Sequence, residues 1–240
     1  MECLDLTLDS PAENLACDEV LLDYCENGGA PAGVLRWWQP ARHFVVLGYA
    51  CRIGDEVNRD FCLKNQIPIH RRCSGGGTVL LGPGCFNYSL VLPITMDSAL
   101  AGISGTNGYI LHRLLRALQP LVQNTIQKLG QTDLANGNRK FSGNAQRRKK
   151  DFILFHGTFL LNTDLSLMEN ALPFPPRQPE YRLNRSHADF VMNLGIDAIL
   201  LKNALAREWN ALKQLVQFPF RQTVLLAREK YQQDSWNQKF

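Results

Sequence analysis

Two short segments of this 240-residue chain carry the residue types that phosphate and acyl-phosphate chemistry requires. The first is Arg71-Arg72-Cys73-Ser74-Gly75-Gly76-Gly77-Thr78-Val79, two cations opening onto three glycines. Glycines let the backbone come close to a ligand and expose consecutive N–H groups, an anion-binding nest. The second, Arg139-Lys140-Phe141-Ser142-Gly143-Asn144-Ala145-Gln146-Arg147-Arg148, sets a lysine before small residues and closes on a cationic run, Arg147 to Lys150. A ligand can lie against small residues there while the lysine brings a point charge to it. Together they describe a grip on an oligophosphate or acyl phosphate that needs no P-loop, since Gly-x-x-x-x-Gly-Lys-Ser/Thr occurs nowhere in the chain. Taken singly, each feature has a plainer reading. The glycines could form a bend without a ligand, Lys140 and the basic run could be solvated surface, and His156 could be a hydrogen-bonded core histidine. Their co-occurrence is what argues for a site.

These residues need strands to hold them. Gln66-Ile67-Pro68-Ile69-His70 leads into a short strand, and Val79–Leu81 and Phe86–Leu92 read as two more, split by the turn Gly82-Pro83-Gly84. The glycines therefore sit on a sheet, unlike those of a dinucleotide fold, which open a helix. Asn136-Gly137 is a hairpin signal that puts Lys140 on the following strand. Residues 152–161 form a long apolar strand interrupted by His156-Gly157-Thr158, and Val34–Trp38 and Phe44–Leu47 are further strands. Ser10-Pro11-Ala12-Glu13 is a capping box with proline at the first helical position, opening a helix to about Glu26. More helices are expected over 107–124, 198–215 and 224–232, and Pro173–Pro176 marks a rim loop. The pattern predicts an α+β fold: a central, mostly antiparallel or mixed sheet flanked by helices.

Composition narrows the classes. A 240-residue chain that is 45% hydrophobic fits one domain with one sizeable core. No apolar run approaches 18 residues and the N-terminus has no basic region before an apolar stretch, so neither a membrane span nor a secretory signal is expected. The seven cysteines (3, 17, 25, 51, 62, 73, 85) are odd in number and form no Cys-x-x-Cys pair, which reads as reduced thiols in a cytoplasmic protein. A net charge of +4, with no aromatic residue inside 147–150, gives no reason to expect nucleic acid.

At its motifs the chain resembles the catalytic domain of lipoate–protein ligases, in the biotin/lipoate protein ligase family. The family pattern Arg-Arg-x-Ser-Gly-Gly-Gly-x-Val matches at 71–79 and Lys-x-Ser-Gly-x-Ala-x-Arg at 140–147, followed by His156-Gly157-Thr158-Phe159-Leu160. Asn14-Leu15-Ala16-x-x-Glu19 is similar to the family's first helix, Gly130-Gln131-Thr132-Asp133-Leu134 to its Gly-x-Asn-Asp-Leu segment, and Ser235-Trp236-Asn237 to the close of its large domain. The resemblance runs in order along essentially the whole chain. It implies a class II biotin/lipoyl synthetase-like catalytic domain over residues 1–240, without a C-terminal accessory domain. The activity it implies is ATP-dependent ligation of lipoate, through lipoyl-adenylate, to one lysine of a lipoyl acceptor protein.

The same resemblance assigns roles. Lys140 is the catalytic group between carboxylate and α-phosphate. Arg72, Ser74, Gly75, Gly76, Gly77, Thr78, Val79, Asn87, Asp133, Ser142, Gly143, Ala145, Arg147, His156 and Thr158 are expected at the substrate and nucleotide. Trp37, Trp38 and Leu47 are expected along the lipoate tail, and Asp133 at Mg²⁺. Arg148, Lys149 and Lys150 are expected at the mouth, facing an acidic acceptor domain. Three departures stand out: Leu81-Gly82 where ligases often carry His-Asp, Thr132 where Asn is frequent, and an end at residue 240 where many family ligases continue. The last departure leaves room for a separate small accessory protein or a pre-activated acyl donor. Alternatives are an octanoyl or lipoyl transferase using a thioester donor and a cysteine, and a non-catalytic homologue that binds lipoate or the acceptor. No cysteine follows Cys85, which counts against the transferase.

Overall fold

The computed structural model describes residues 1–240. Eleven strands are present: β1 Glu2–Asp5, β2 Val34–Trp38, β3 Phe44–Leu47, β4 Ile69–Arg71, β5 Val79–Leu81, β6 Cys85–Pro93, β7 Ile126–Leu129, β8 Asp133–Asn136, β9 Arg139–Arg148, β10 Phe152–Leu160 and β11 Lys213–Gln214. Nine α-helices accompany them: α1 Pro11–Glu26, α2 Ile53–Glu56, α3 Arg59–Lys64, α4 Ile103–Leu118, α5 Leu165–Ala171, α6 His187–Phe190, α7 Ala198–Glu208, α8 Phe220–Leu226 and α9 Asp234–Asn237. The strands make two sheets. Eight run in the order β11-β1-β2-β6-β10-β9-β8-β7, and three in the order β4-β3-β5.

The long central pair, β6 and β10, is antiparallel from Cys85 opposite Leu160 to Pro93 opposite Phe152. Both strands are apolar nearly throughout because both faces of the sheet are covered. Alternate residues face opposite ways. Leu35, Trp37, Tyr88, Leu90, Ile153 and Phe155 pack with Ile110 and Leu114 of α4 and Leu201 and Leu205 of α7. On the other face Val34, Val91 and Leu154 meet Cys17, Leu21 and Leu22 of α1, while Trp38 and Leu160 meet Phe44 and Val45 of the small sheet. The capping box at Ser10 and Glu13 forms as expected and fixes where α1 begins.

The α+β expectation holds, with local corrections. The two strands split by Gly82-Pro83-Gly84 lie in different sheets, β5 in the small one and β6 in the large one. The helix expected over 107–124 starts four residues earlier, at Ile103, and stops at Leu118 ahead of Pro120; residues 126–129 form β7. The helix expected to reach 215 ends at Glu208, since Asn210 takes a positive φ of 49° and the chain then enters β11. Near the C-terminus α8 begins at Phe220, and its continuation widens until Gln232 N–H donates to Ala227 O at 2.8 Å. No helix is long and apolar enough to cross a membrane.

Candidate active site

The register of the large sheet lines up the site. Trp38, Asn87, Thr158, Gly143 and Asp133 are successive cross-strand partners on β2, β6, β10, β9 and β8. One row away, Arg36, Ser89, His156 and Ala145 are partners in the same way. These rows face the small sheet, and a pocket lies between them. Its walls include Trp38, Asn87, Asp133, Lys140, His156 and Thr158 on one side and Val46, Gly76, Gly77, Thr78, Val79 and Leu81 on the other. Thr158 Oγ1 donates to Asn87 Oδ1 at 2.5 Å, so the floor is bonded within itself.

The glycine turn between β4 and β5 is held entirely by its carbonyls. The Cys73 carbonyl accepts from Arg147 and the Ser74 carbonyl from Tyr49 N–H. Gly75 O and Gly77 O accept from Arg72 Nη2 at 2.6 and 2.8 Å, and Gly76 O from the Cys51 thiol at 3.3 Å. The Thr78 amide, at the turn's end, donates to Glu56 at 3.2 Å. No protein acceptor meets the amides of Gly75, Gly76 or Gly77, and these three residues are exposed. Gly76 has φ +86°, a conformation open to glycine. Gly48 is needed beneath it, because a Cβ there would come within 1.9 Å of Gly76 O. A backbone whose carbonyls are all tied back and whose amides are free presents a surface of donors, the anion nest that the sequence predicts.

Lys140 stands across from this turn on a bulged strand. Pairing of β8 with β9 shifts by one residue after Leu134, which leaves Phe141 as the extra residue. Phe141 is buried in the α4-side core, and Lys140 and Gly143 come to share the pocket side. A Cβ on Gly143 would meet Lys140 Nζ at 2.8 Å, so glycine there makes room for the lysine. Lys140 Nζ pairs with Asp133 Oδ1 at 2.8 Å, and Tyr181 OH donates to Asp133 Oδ2 at 2.8 Å. Burial, then the charge of Asp133, pushes the Tyr181 hydroxyl well above its ordinary pKa and keeps it the donor. The two motifs meet: a Cβ on Gly76 would sit 3.7 Å from that of Ala145.

Several expected residues are placed differently. Arg72 reaches the pocket wall, but Nε and Nη2 go to Ser74 Oγ and the carbonyls of Gly75 and Gly77, so it shapes the turn. Arg71 is fully buried and binds the carbonyls of Gly48, Tyr49 and Cys51 and of Trp236 and Asn237. His156 lines the pocket with both ring nitrogens already occupied, by Asp18 and by Ser74. Ser74 and Ser142 are each 1% exposed and lie behind the wall, and Arg147 is drawn to Cys73 O at 2.9 Å. Trp37 faces α7 and Leu47 lies inside the small-sheet core, so of the expected tail residues only Trp38 lines the pocket. Within the basic run Arg148 caps the carbonyls of Leu100 and Ala101 and Lys149 pairs with Asp23 at 2.5 Å, while Lys150 is exposed and unpaired. All seven cysteines are buried, and burial pushes the Cys73 thiol up to about 12.

Sequence reading missed Asp18, Tyr88, Asn144, Glu56 and Tyr181. Asn144 accepts from Tyr88 OH at 2.6 Å and donates to Thr132 O at 2.7 Å, holding the segment that carries Asp133. Gly157 permits this, since a Cβ there would lie 1.9 Å from Asn144 Oδ1. The partners of these residues lie far away along the chain, 138 residues for Asp18 and His156, and no local pattern marks them.

A glycine nest opposite a lysine, on the seam of a large mixed sheet and a small one, is a place where an anionic ligand can be held. The chain belongs to the lipoyl protein ligase A/B catalytic domain family, whose model matches residues 10–198. A curated relative from Thermoplasma acidophilum, named lipoate-protein ligase A subunit 1, is 26% identical over 99% of this chain and 97% of its own length. A solved structure of a bi-partite lipoate protein ligase and its E2 lipoyl domain, from the same organism, matches at 24% identity with a TM-score of 0.81, covering 99% of this chain and 96% of the other. A lipoate-protein ligase A bound with ATP matches at 24% identity with a TM-score of 0.77, covering 99% of each chain. At these identities the structural likeness speaks to the fold.

Proposed function

We propose that this chain is an ATP-dependent lipoate–protein ligase, with residues 1–240 forming its catalytic domain. The observation that carries the reading is the nest of free amides at Gly75 to Gly77, set against the strand that carries Lys140. Relatives named for lipoate and ATP, one of them paired with a lipoyl domain, support the choice of substrates and partner. In the first half-reaction the lipoate carboxylate attacks the α-phosphorus of ATP and pyrophosphate leaves. In the second, the ε-amine of the acceptor lysine attacks the acyl carbon of the mixed anhydride and AMP leaves. Both steps gather negative charge on oxygen, which preorganised donors stabilise. The glycine amides meet phosphate oxygens, and Lys140 turns from Asp133 to the reacting oxygens. Trp38, Val46, Val79 and Leu81 give the tail an apolar wall.

Mg²⁺ fits this site as a companion of the nucleotide. Such an ion takes one or two protein carboxylates and completes its shell from phosphate and water. Asp133, whose Oδ1 pairs with Lys140 and whose Oδ2 accepts from Tyr181, is the carboxylate that would hold it once Lys140 turns to the reacting oxygens, and there the ion would shield phosphate charge. A separate accessory protein is part of the reading, because the Thermoplasma relative is itself named as one subunit.

Pyrophosphate release with ATP and lipoate, by the purified chain alone and with an added accessory subunit, each with and without a lipoyl domain, tests the proposal; no release under any combination refutes it. The thioester-transferase alternative needs a thiolate, and every thiol here is buried. Cys73→Ala with Cys85→Ala should keep acyl transfer within several-fold of wild type at some loss of thermal stability. A hydroxylamine-sensitive acyl–enzyme that disappears in this double variant would favour the transferase.

A further inference from the structure

One polar feature of the interior is not used by the chemistry above: an unbroken file of buried hydrogen bonds from α1 to the glycine turn. Arg36 donates to Asp18 Oδ1 at 2.8 Å, and Asp18 Oδ2 faces His156 Nδ1 at 2.9 Å. His156 Nε2 lies 2.6 Å from Ser74 Oγ, and Arg72 Nε donates to the same oxygen at 3.1 Å. Arg72 also holds Gly75 O and Gly77 O.

Donor and acceptor capacities fix the direction of each bond. Guanidinium groups only donate, and an ionised carboxylate only accepts. Burial raises the pKa of Asp18, but the bond from His156 and the charge of Arg36 outweigh it and hold the carboxyl below its ordinary value. Nδ1 of His156 then carries a hydrogen toward Asp18, and in that tautomer Nε2 is the acceptor. Ser74 already accepts from Arg72, so its own hydroxyl hydrogen points to Nε2. Every group in the file has its partner, as a buried polar network requires.

We propose that Asp18 and His156 are positioning residues for the ligase reaction proposed above, acting through Ser74 to fix the guanidinium of Arg72 and with it the aim of the Gly75–Gly77 amides. The Asp–His–Ser spacing resembles that of a hydrolytic triad. Ser74, however, is 1% exposed and behind the pocket wall, and its oxygen is already engaged by Arg72. The file is a brace whose direction matters. In Asp18→Asn the new amide can donate to Nδ1 and stabilise the opposite tautomer. Nε2–H then fills the second lone pair of Ser74 Oγ, the serine's own hydroxyl hydrogen loses its acceptor, and the clamp on the turn loosens.

The test combines ¹⁵N NMR of the His156 ring in the full chain with kinetics of lipoyl-adenylate formation. Asp18→Asn should move the hydrogen from Nδ1 to Nε2 and raise KM for ATP about tenfold with a smaller fall in kcat, since the amides grip phosphate oxygens in ground state and transition state alike. His156→Gln, whose carbonyl can still accept from Ser74, should recover part of the binding lost in His156→Phe. If Asp18→Asn does not fold, the His156 pair decides by itself. A flipped tautomer with wild-type KM, equal defects in His156→Gln and His156→Phe, or an acyl adduct on Ser74 found by mass spectrometry would each overturn the proposal. Failure of the ligase reading is distinguishable, because the wild-type chain would then release no pyrophosphate even with the accessory subunit added, and the positioning role would fall with it.

Discussion

At the scale of single residues, the site separates groups that face the pocket from groups packed behind it. Lys140 faces it, with Nζ paired only to Asp133 and its side chain 25% exposed. Lys140→Ala should therefore lower adenylate formation by about 10²–10³, the usual cost of losing one preorganised stabilising group. Its melting temperature should stay close to wild type, because a half-open ion pair adds little to stability. Retention of half the wild-type rate would remove Lys140 from the mechanism. Residues of this kind were legible in the sequence, because the glycines and the lysine sit in contiguous motifs whose local chemistry is plain. Arg72 and His156 were legible as members of the site but not in their roles. What an arginine holds depends on which carbonyls curl back to it, and contiguous sequence does not show that.

At the scale of elements, the link Tyr88–Asn144–Thr132 ties β6 and β9 to the turn before β8 through the space left by Gly157. Gly157→Ala places a methyl group against Asn144 Oδ1 and should cost about 1–3 kcal/mol, the range for overpacking a filled interior. It should also slow adenylate formation, since Asn144 steadies the backbone beside Asp133. Asn144→Ala removes the nearest atoms in the way and leaves Gly143 O at 2.9 Å, so in that background the urea midpoint should change less on adding Gly157→Ala. An unchanged penalty would mean that the clash is not with Asn144. The central strands could be read from their apolar runs. The edge strand β7, Ile-Gln-Lys-Leu with its two middle residues exposed, has neither run nor length to declare itself. Division into two sheets was hidden for another reason: strand pairing is long-range, and β5 and β6 differ in partners rather than in composition.

At the scale of the molecule, buried histidines link stability to acidity. Burial lowers the pKa of His70, against a weaker opposing bond to Tyr231 O, and burial followed by the charge of Arg182 lowers that of His187. The unfolded chain takes up protons at these positions below its ordinary value of 6.5 while the folded chain does not. Their contribution is thus complete above that pH and shrinks as pH falls through it. Asp18, also depressed, adds a second loss as pH falls below 3.8. Calorimetry should show a lower melting temperature at pH 5 than at pH 7.5, with a shallower slope for His70→Asn. A melting temperature that rises on acidification would contradict this sign.

The glycine turn also separates two properties that usually travel together. Its carbonyls are pinned by Arg147, Tyr49, Arg72 and Cys51, so the backbone has one shape; its amides at Gly75 to Gly77 have no acceptor, so nothing shields their hydrogens from solvent. Deuterium should enter these three positions of the free protein almost as fast as an unfolded peptide allows, although the turn does not open. The neighbouring Thr78 amide, donated to Glu56, should lag behind. Fast exchange here would register vacancy rather than motion, and its slowing on addition of a phosphate-bearing ligand would read occupancy amide by amide.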